Sequence, residues 1–185
     1  MLFLDELLEF PSNLLDTLRQ PIEDKSIALS FAHTKTVFPA HVTLVAATNP
    51  CPCGYYQSLC KACSCSPRAI EQYRQKLSGP LLDRFDLVVH MDMEREIYAQ
   101  EKCGEEETGS TLKSKVASCR SQLTGTSLAL ASATLQLLRR ESIRQGLSGR
   151  RYKSTIRVAQ TAACLNQQEQ ITDREIEEAL SFLPA

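Results

Sequence analysis

Apolar positions in the N-terminal part of the chain fall in short unbroken runs, whereas in the C-terminal part they recur at helical spacing. Leu2-Phe3-Leu4 runs directly into Asp5-Glu6, the pattern of a short buried strand with acids at its carboxyl end. Pro11 to Arg19 predicts a helix, with Pro at the start and Leu14, Leu15 and Leu18 on one face. Ser26–Phe31 and Thr36–Phe38 predict two strands of a hairpin around Ala32-His33-Thr34-Lys35. Val42 to Thr48 is a β-branched apolar run ending at Asn49-Pro50, as a central parallel strand buried on both faces reads. After a cysteine-rich loop come a helix from Pro67 to Leu77, a Gly79-Pro80 break and a third buried strand at Leu87-Val88-Val89.

Residues 101–111 are polar and predict a linker. Beyond them Leu128, Ala131, Leu135 and Leu138 form one helical stripe, and Ile156, Ala159 and Ala163 another. Thr172-Asp173-Arg174-Glu175 is a capping box, flanked by Ile171 and Ile176 at the positions of a hydrophobic staple. Strands alternating with helices, followed by helices alone, predict an α/β unit over 1–100 and an all-helical unit over 112–185.

Composition narrows the class. Hydrophobic residues make up 43% of the chain, enough for a core, but only 6% are aromatic, so that core is largely aliphatic. No apolar run approaches the ~18 residues of a membrane span, and the N-terminus lacks a basic leader. A cytoplasmic protein without membrane contact is expected, its first strand standing where upstream neighbours have been cut away. From Leu112 onward there are 11 Lys/Arg against 6 acids, leaving 10 basic and 16 acidic residues before it. A basic C-terminal unit suits phosphates, and solvated helix faces suit it equally. Five of the eight cysteines lie between Cys51 and Cys65, and without a secretory leader such clustering points to a metal rather than to disulfides.

The segments LFLDEL, LRQPIED, FPAHVTLVAATNPCPCGY, SGPLLDRFD and LSGRRYKSTIRVAQTAA are spread across nearly the whole chain. In this order they resemble AAA+ ATPases of the magnesium-chelatase branch, and most closely the ComM/YifB-like proteins. The resemblance implies a truncated AAA+ P-loop-type parallel sheet core followed by a helical lid. It implies Asp5 and Glu6 as Walker B acids, Asp5 holding Mg²⁺ and Glu6 polarising the lytic water, with Asn49 as sensor 1. It makes Arg84 the finger that reaches ATP on a neighbouring subunit. Arg150 becomes the lid arginine that contacts nucleotide, with Arg151 the fallback. The hairpin matches a pore hairpin, making His33 and Lys35 near its tip candidate nucleic-acid contacts. For each of these residues taken alone, a solvated loop or surface charge explains the sequence as well.

One departure is plain: no G-x-x-x-x-G-K-[ST] loop occurs, so the chain alone is expected neither to bind ATP tightly nor to hydrolyse it. The cysteine pairs Cys51/Cys53 and Cys63/Cys65 have the number and type of ligands for a tetrahedral Zn²⁺, although C-x-C is the less common spacing and Cys60/Cys63 offers a C-x₂-C alternative. Reduced thiols in a surface loop remain the other reading. Cys103, Cys119 and Cys164 read as isolated small residues. The implied function is an ATP-driven hexameric ring acting on DNA, as a helicase or in branch migration. The alternatives are a magnesium-chelatase motor subunit serving Mg²⁺ insertion into a porphyrin, and a non-enzymatic zinc- or nucleic-acid-binding module.

Overall fold

The computed structural model describes residues 1–31, 34–58, 61–91, 109–123 and 128–184. They form two compact units, Met1–Phe85 and, with the described residues from Gly109 onward, Asp86–Met91. His33, Cys60, Cys103 and most of the expected linker lie outside the described residues. The architecture is mixed α/β with small parallel sheets and several helices, compatible with a P-loop-like core and a helical domain.

In the first unit β1 (Leu2–Leu4) pairs in parallel with β4 (Leu44–Ala46), in the register Leu2↔Leu44 to Leu4↔Ala46. The pairing extends past the strands, since Ala47 N–H donates to Leu4 at 2.9 Å and Leu7 N–H to Ala47 at 2.8 Å. The parallel pair is as expected, but burial on both faces is not: Phe3 is 57% exposed and Val45 41%. No third strand joins this sheet among the described residues.

The expected helix Pro11–Arg19 is shorter and is followed by a second. α1 spans Ser12–Thr17 with Pro11 at its N-cap, and α2 spans Arg19–Asp24. Pro21 accounts for the break, because it has no N–H for Thr17 and its ring crowds the carbonyl four residues back. Leu7, Leu15 and Leu81 form the core here, with Leu4, Phe10, Leu18, Ile22, Leu77 and Phe85 packed around them. β2 (Ser26–Phe31) and β3 (Thr34–Pro39) form the antiparallel hairpin, longer than expected. Lys35 consequently sits inside β3 opposite Ser30 rather than in the turn. α3 (Pro67–Arg74) and α4 (Gly79–Leu82) complete the unit.

The run Leu87–Val89 is not a buried strand. Leu87 is 51% exposed, and the segment is tied by Val88 N–H to Phe182 at 2.8 Å within the second unit. That unit contains α5 (Gly109–Leu123), β5 (Ala129–Leu130), α6 (Ser132–Gln145), α7 (Gly149–Leu165), β6 (Gln170–Ile171) and α8 (Asp173–Ser181). Leu128 and Ala131 precede α6 rather than lie on it, although Leu128 still packs on the core. Leu138, Ala159, Ala163, Ile171, Ile176 and Ala179 are buried together and Ile156 packs against them, so both staple residues and all three α7 stripe positions face one core. Asp86 is bound by the Ser154 hydroxyl and, at 2.9 Å, by the Arg157 guanidinium, both on α7.

Glu175 closes the N-terminus of α8: its Oε2 accepts from Thr172 N–H at 3.0 Å and from the Thr172 hydroxyl. It is 2% exposed, and these hydrogen bonds, the Thr172 hydroxyl first, hold its carboxyl below the usual glutamate range. A depressed folded-state pKa contributes stability above the unfolded value of about 4.3 that is lost as pH falls through the folded value. Glu175→Gln is therefore expected to destabilise the second unit by about 1–2 kcal/mol at neutral pH. The difference from wild type should narrow below about pH 4, which denaturant melts at two pH values will check.

Candidate active site and metal centre

The parallel register places Asp5 and Glu6 beside Ala47 and Thr48, so both acids and Asn49 stand at the carboxyl ends of adjacent strands. All three are exposed. In parallel sheets this edge is where ligands bind, because the chain turns away and leaves polar groups uncovered. Glu6 turns with φ 48 and ψ 46, left-handed for a residue with a Cβ. Its N–H donates to Asp5 Oδ1 at 3.0 Å, leaving the other Asp5 oxygen available to a cation. Strain of this kind gathers at functional turns.

Asn49 enters the cysteine loop. A Cβ on Gly54 would stand 3.9 Å from Asn49 Oδ1, so the loop returns to the asparagine's side chain through a residue whose φ of +80 suits glycine. The four thiols of Cys51, Cys53, Cys63 and Cys65 lie within 4.8 Å of one another, and Cys51 is fully buried. The sulfur separations among Cys51, Cys53 and Cys63 are 3.4, 3.7 and 3.5 Å. They are too long for a disulfide and close to the ~3.8 Å edge of a tetrahedron with Zn–S bonds of about 2.3 Å. Backbone N–H groups of Tyr55 and Ser64 pull the Cys53 thiol down to about 5. Burial, then the neighbouring Cys53, pushes Cys65 up to about 12. Four sulfurs this close cannot all ionise without a cation among them, and a divalent soft metal meets that need. The C-x-C pairs make up the cluster among the described residues, and Cys60, of the alternative pair, lies outside them.

Helix α3 follows immediately, capped by Ser66, whose Oγ accepts from Ala69 N–H at 3.2 Å. It carries two residues that the sequence reading did not single out. Arg74 Nε donates to the Pro50 carbonyl at 3.2 Å, and its guanidinium lies 4.7 Å over the Tyr56 ring. Tyr73 is 4% exposed, and its hydroxyl faces Thr48 and Glu9 without completing a hydrogen bond to either. Burial, and then the nearby carboxylates, raise its phenol above the usual range. Just past the helix, Lys76 Nζ donates to the Leu8 carbonyl at 2.7 Å.

Arg84 is not beside the acids. Its Nε donates to the Arg19 carbonyl at 3.1 Å, Nη1 to the Pro80 carbonyl and Nη2 to Glu23, with which it forms an ion pair. Glu23, in the LRQPIED segment, is thus a partner that sequence spacing alone could not reveal. In the second unit Arg150 and Arg151 open α7, where Ser148 Oγ accepts from Arg151 N–H at 3.2 Å. Arg151 Nη1 also reaches the Pro184 carbonyl at 3.4 Å, which commits that side chain to the unit's own C-terminus. Cys119 and Cys164, read as isolated, are neighbours: Cys164 Sγ donates to the Cys119 carbonyl at 3.6 Å, and burial pushes the Cys119 thiol up to about 11.

Residues 1–98 match the family of magnesium chelatase, subunit ChlI, and residues 92–183 match the ChlI C-terminal family. The chain belongs to this magnesium-chelatase family of AAA+-type proteins. Its relatives are of the ComM/YifB kind that its motifs resemble. It is 34% identical, over 98% of its length, to the uncharacterized protein YifB of Escherichia coli (strain K12) and to the competence protein ComM of Haemophilus influenzae. An uncharacterized protein of Mycobacterium bovis is 44% identical over 49% of the chain and 18% of its own length. The chain spans 38% of the length of YifB and ComM. No helix among the described residues is long and apolar enough to cross a membrane.

Proposed function

We propose that Asp5, Glu6 and Asn49 belong to an ATP-hydrolysing site that a phosphate-binding loop outside these 185 residues completes. The observation that carries this reading is the convergence of the three side chains at the ends of two paired parallel strands, next to the strained turn at Glu6. Mg²⁺-ATP would supply the phosphoanhydride to be cleaved and the charge that neutralises its oxygens. The exposed oxygen of Asp5 suits a magnesium ligand. Glu6 polarises the attacking water and accepts its proton, and Asn49 orients that water by hydrogen bonding. Arg84 acts on the site of a neighbouring subunit in a hexameric ring, exchanging Glu23 for a phosphate. Arg150 is the lid residue for nucleotide, with Arg151 second because it already holds the Pro184 carbonyl.

The ring acts on DNA as a helicase or branch-migration motor. The support is the similarity to a competence protein and an exposed hairpin with Lys35 on β3. Binding of the full-length protein to DNA is expected to weaken steeply between 50 and 200 mM salt, roughly as the counterion-release slope demands. Lys35→Ala should flatten that slope by about one unit. Salt-independent binding would count against a DNA substrate. The alternative of a magnesium-chelatase motor subunit draws on the family match. It predicts ATP turnover stimulated by a porphyrin and indifferent to DNA.

The cysteine cluster is proposed to hold one structural Zn²⁺ through Cys51, Cys53, Cys63 and Cys65. Protein purified under reducing conditions should contain one zinc per chain, and Cys63→Ser should lose it. Folded, metal-free wild type would instead support the reading of reduced thiols. A zinc- or nucleic-acid-binding module without ATPase activity would keep zinc and DNA binding while the full-length protein showed no turnover.

A further inference from the structure

The cysteine cluster and helix α3 enclose the segment that carries Asn49. Cys51 lies two residues after Asn49, and Cys65 lies one residue before the Ser66 cap of α3. A metal at the four sulfurs therefore ties the end of β4 directly to the start of α3. At its other end α3 returns to the same place: Arg74 holds the Pro50 carbonyl at 3.2 Å, with the Tyr56 ring stacked beneath the guanidinium. Lys76 ties the helix to the Leu8 carbonyl, just beyond the acids, at 2.7 Å. The buried face of α3 presents the Tyr73 hydroxyl towards Thr48 and Glu9, between the two strand ends. Gly54, inside the cysteine loop, comes within van der Waals reach of Asn49 Oδ1, where a Cβ would stand 3.9 Å away. Asn49 is thus followed directly by two anchored residues, Pro50 on the Arg74 tether and Cys51 in the cluster.

We propose that the metal site and α3 form one positioning device for Asn49, so that this asparagine is held in place only when the four cysteines are metal-loaded, with Arg74 as the positioning residue. The proposal rests on the zinc reading of the cluster. In a ligand-held loop the backbone between the ligands is fixed by the metal and its surrounding hydrogen bonds. Removing the metal frees the four ligands, and with them the cap of α3, the docking of Arg74 and the approach of Gly54 to Asn49.

The test uses the ¹⁵N-labelled chain under reducing conditions, stripped of metal by a chelator and then titrated with zinc alone. Zinc content, amide exchange and the Asn49 side-chain NH₂ resonance are read on the same sample. Zinc is expected to bind at one equivalent. It should slow exchange at Ile70, Gln75 and Ala47 by about tenfold or more, and shift the Asn49 NH₂ resonance in step with occupancy. Tyr152 and Leu135, in the second unit, should not change. Arg74→Ala should still take one zinc and keep α3 amides protected, yet leave the Asn49 resonance near its metal-free position; Arg74→Lys, which retains a donor, should restore it in part. Zinc bound at one equivalent with the Asn49 resonance unmoved would overturn the proposal while leaving the zinc reading intact. An Asn49 resonance that shifts with zinc in Arg74→Ala as far as it does in wild type would overturn the role of Arg74. Absence of zinc binding would sink both the zinc reading and the device built on it.

Discussion

Replacing Arg84 with Ala in the full-length protein is expected to reduce ATP turnover by about 10³-fold or more while nucleotide binding and ring assembly persist. The magnitude follows from its proposed position opposite the charge that develops on the transferred phosphoryl group. The structure also raises the competing explanation. Arg84 is 13% exposed in its side chain, and each of its three guanidinium nitrogens donates, to the Arg19 and Pro80 carbonyls and to Glu23. If those contacts were its whole role, Arg84→Ala would lower the melting temperature, and activity would follow stability. A partly exposed ion pair contributes only about 1 kcal/mol, far short of a 10³-fold rate loss. A variant that melts within a few degrees of wild type yet has lost turnover locates the effect in catalysis. Arg84→Lys should not rescue it, since lysine cannot reproduce the planar fork that meets phosphate oxygens in pairs.

The second large effect is expected at Glu6. Glu6→Gln should lower turnover by about 10²–10⁴-fold, the usual contribution of a positioned base, and leave ATP trapped in the site. Asp5→Asn should behave differently, weakening Mg²⁺-dependent nucleotide binding as well as turnover, because that side chain is proposed as the magnesium ligand. The left-handed turn at Glu6 gives a further check. Glu6→Gly relieves the backbone conformation and removes the carboxylate, so it should lose activity without losing stability. Comparing binding, by fluorescent nucleotide, with turnover separates the two acids.

The path from sequence to this account was uneven for physical reasons. The parallel partnership of Leu2–Leu4 with Leu44–Ala46 was legible because apolar runs ending in polar residues mark the strand ends. The capping box and staple were legible because their partners lie three and five residues apart in the chain. The four cysteines were legible as a set because they are the same chemistry within fifteen residues. What the sequence concealed were contacts that depend on distant elements meeting. Glu23 against Arg84 spans 61 positions, Arg74 against Pro50 spans 24, and no local period encodes either. Leu87–Val89 misled because a β-branched run promises a strand only when a neighbouring strand is there to pair with; here the partner is the carbonyl of Phe182. Pro21 was the overlooked signal in the first helix, a residue whose missing N–H forces a new start.

The two expected losses meet in a single experiment on rings containing both variants. Glu6→Gln subunits keep Arg84, and Arg84→Ala subunits keep Glu6. If the site is shared between neighbours, an Arg84→Ala subunit next to a Glu6→Gln subunit regains a complete one. Steady-state ATP turnover of the co-assembled rings is the measurement. Activity is expected well above the sum of the two inactive parents, rising and falling with the mixing ratio. Turnover that stays at that sum, in rings shown by mass to contain both chains, would contradict the central claim that Asp5, Glu6 and Asn49 hydrolyse ATP with an arginine supplied by the next subunit.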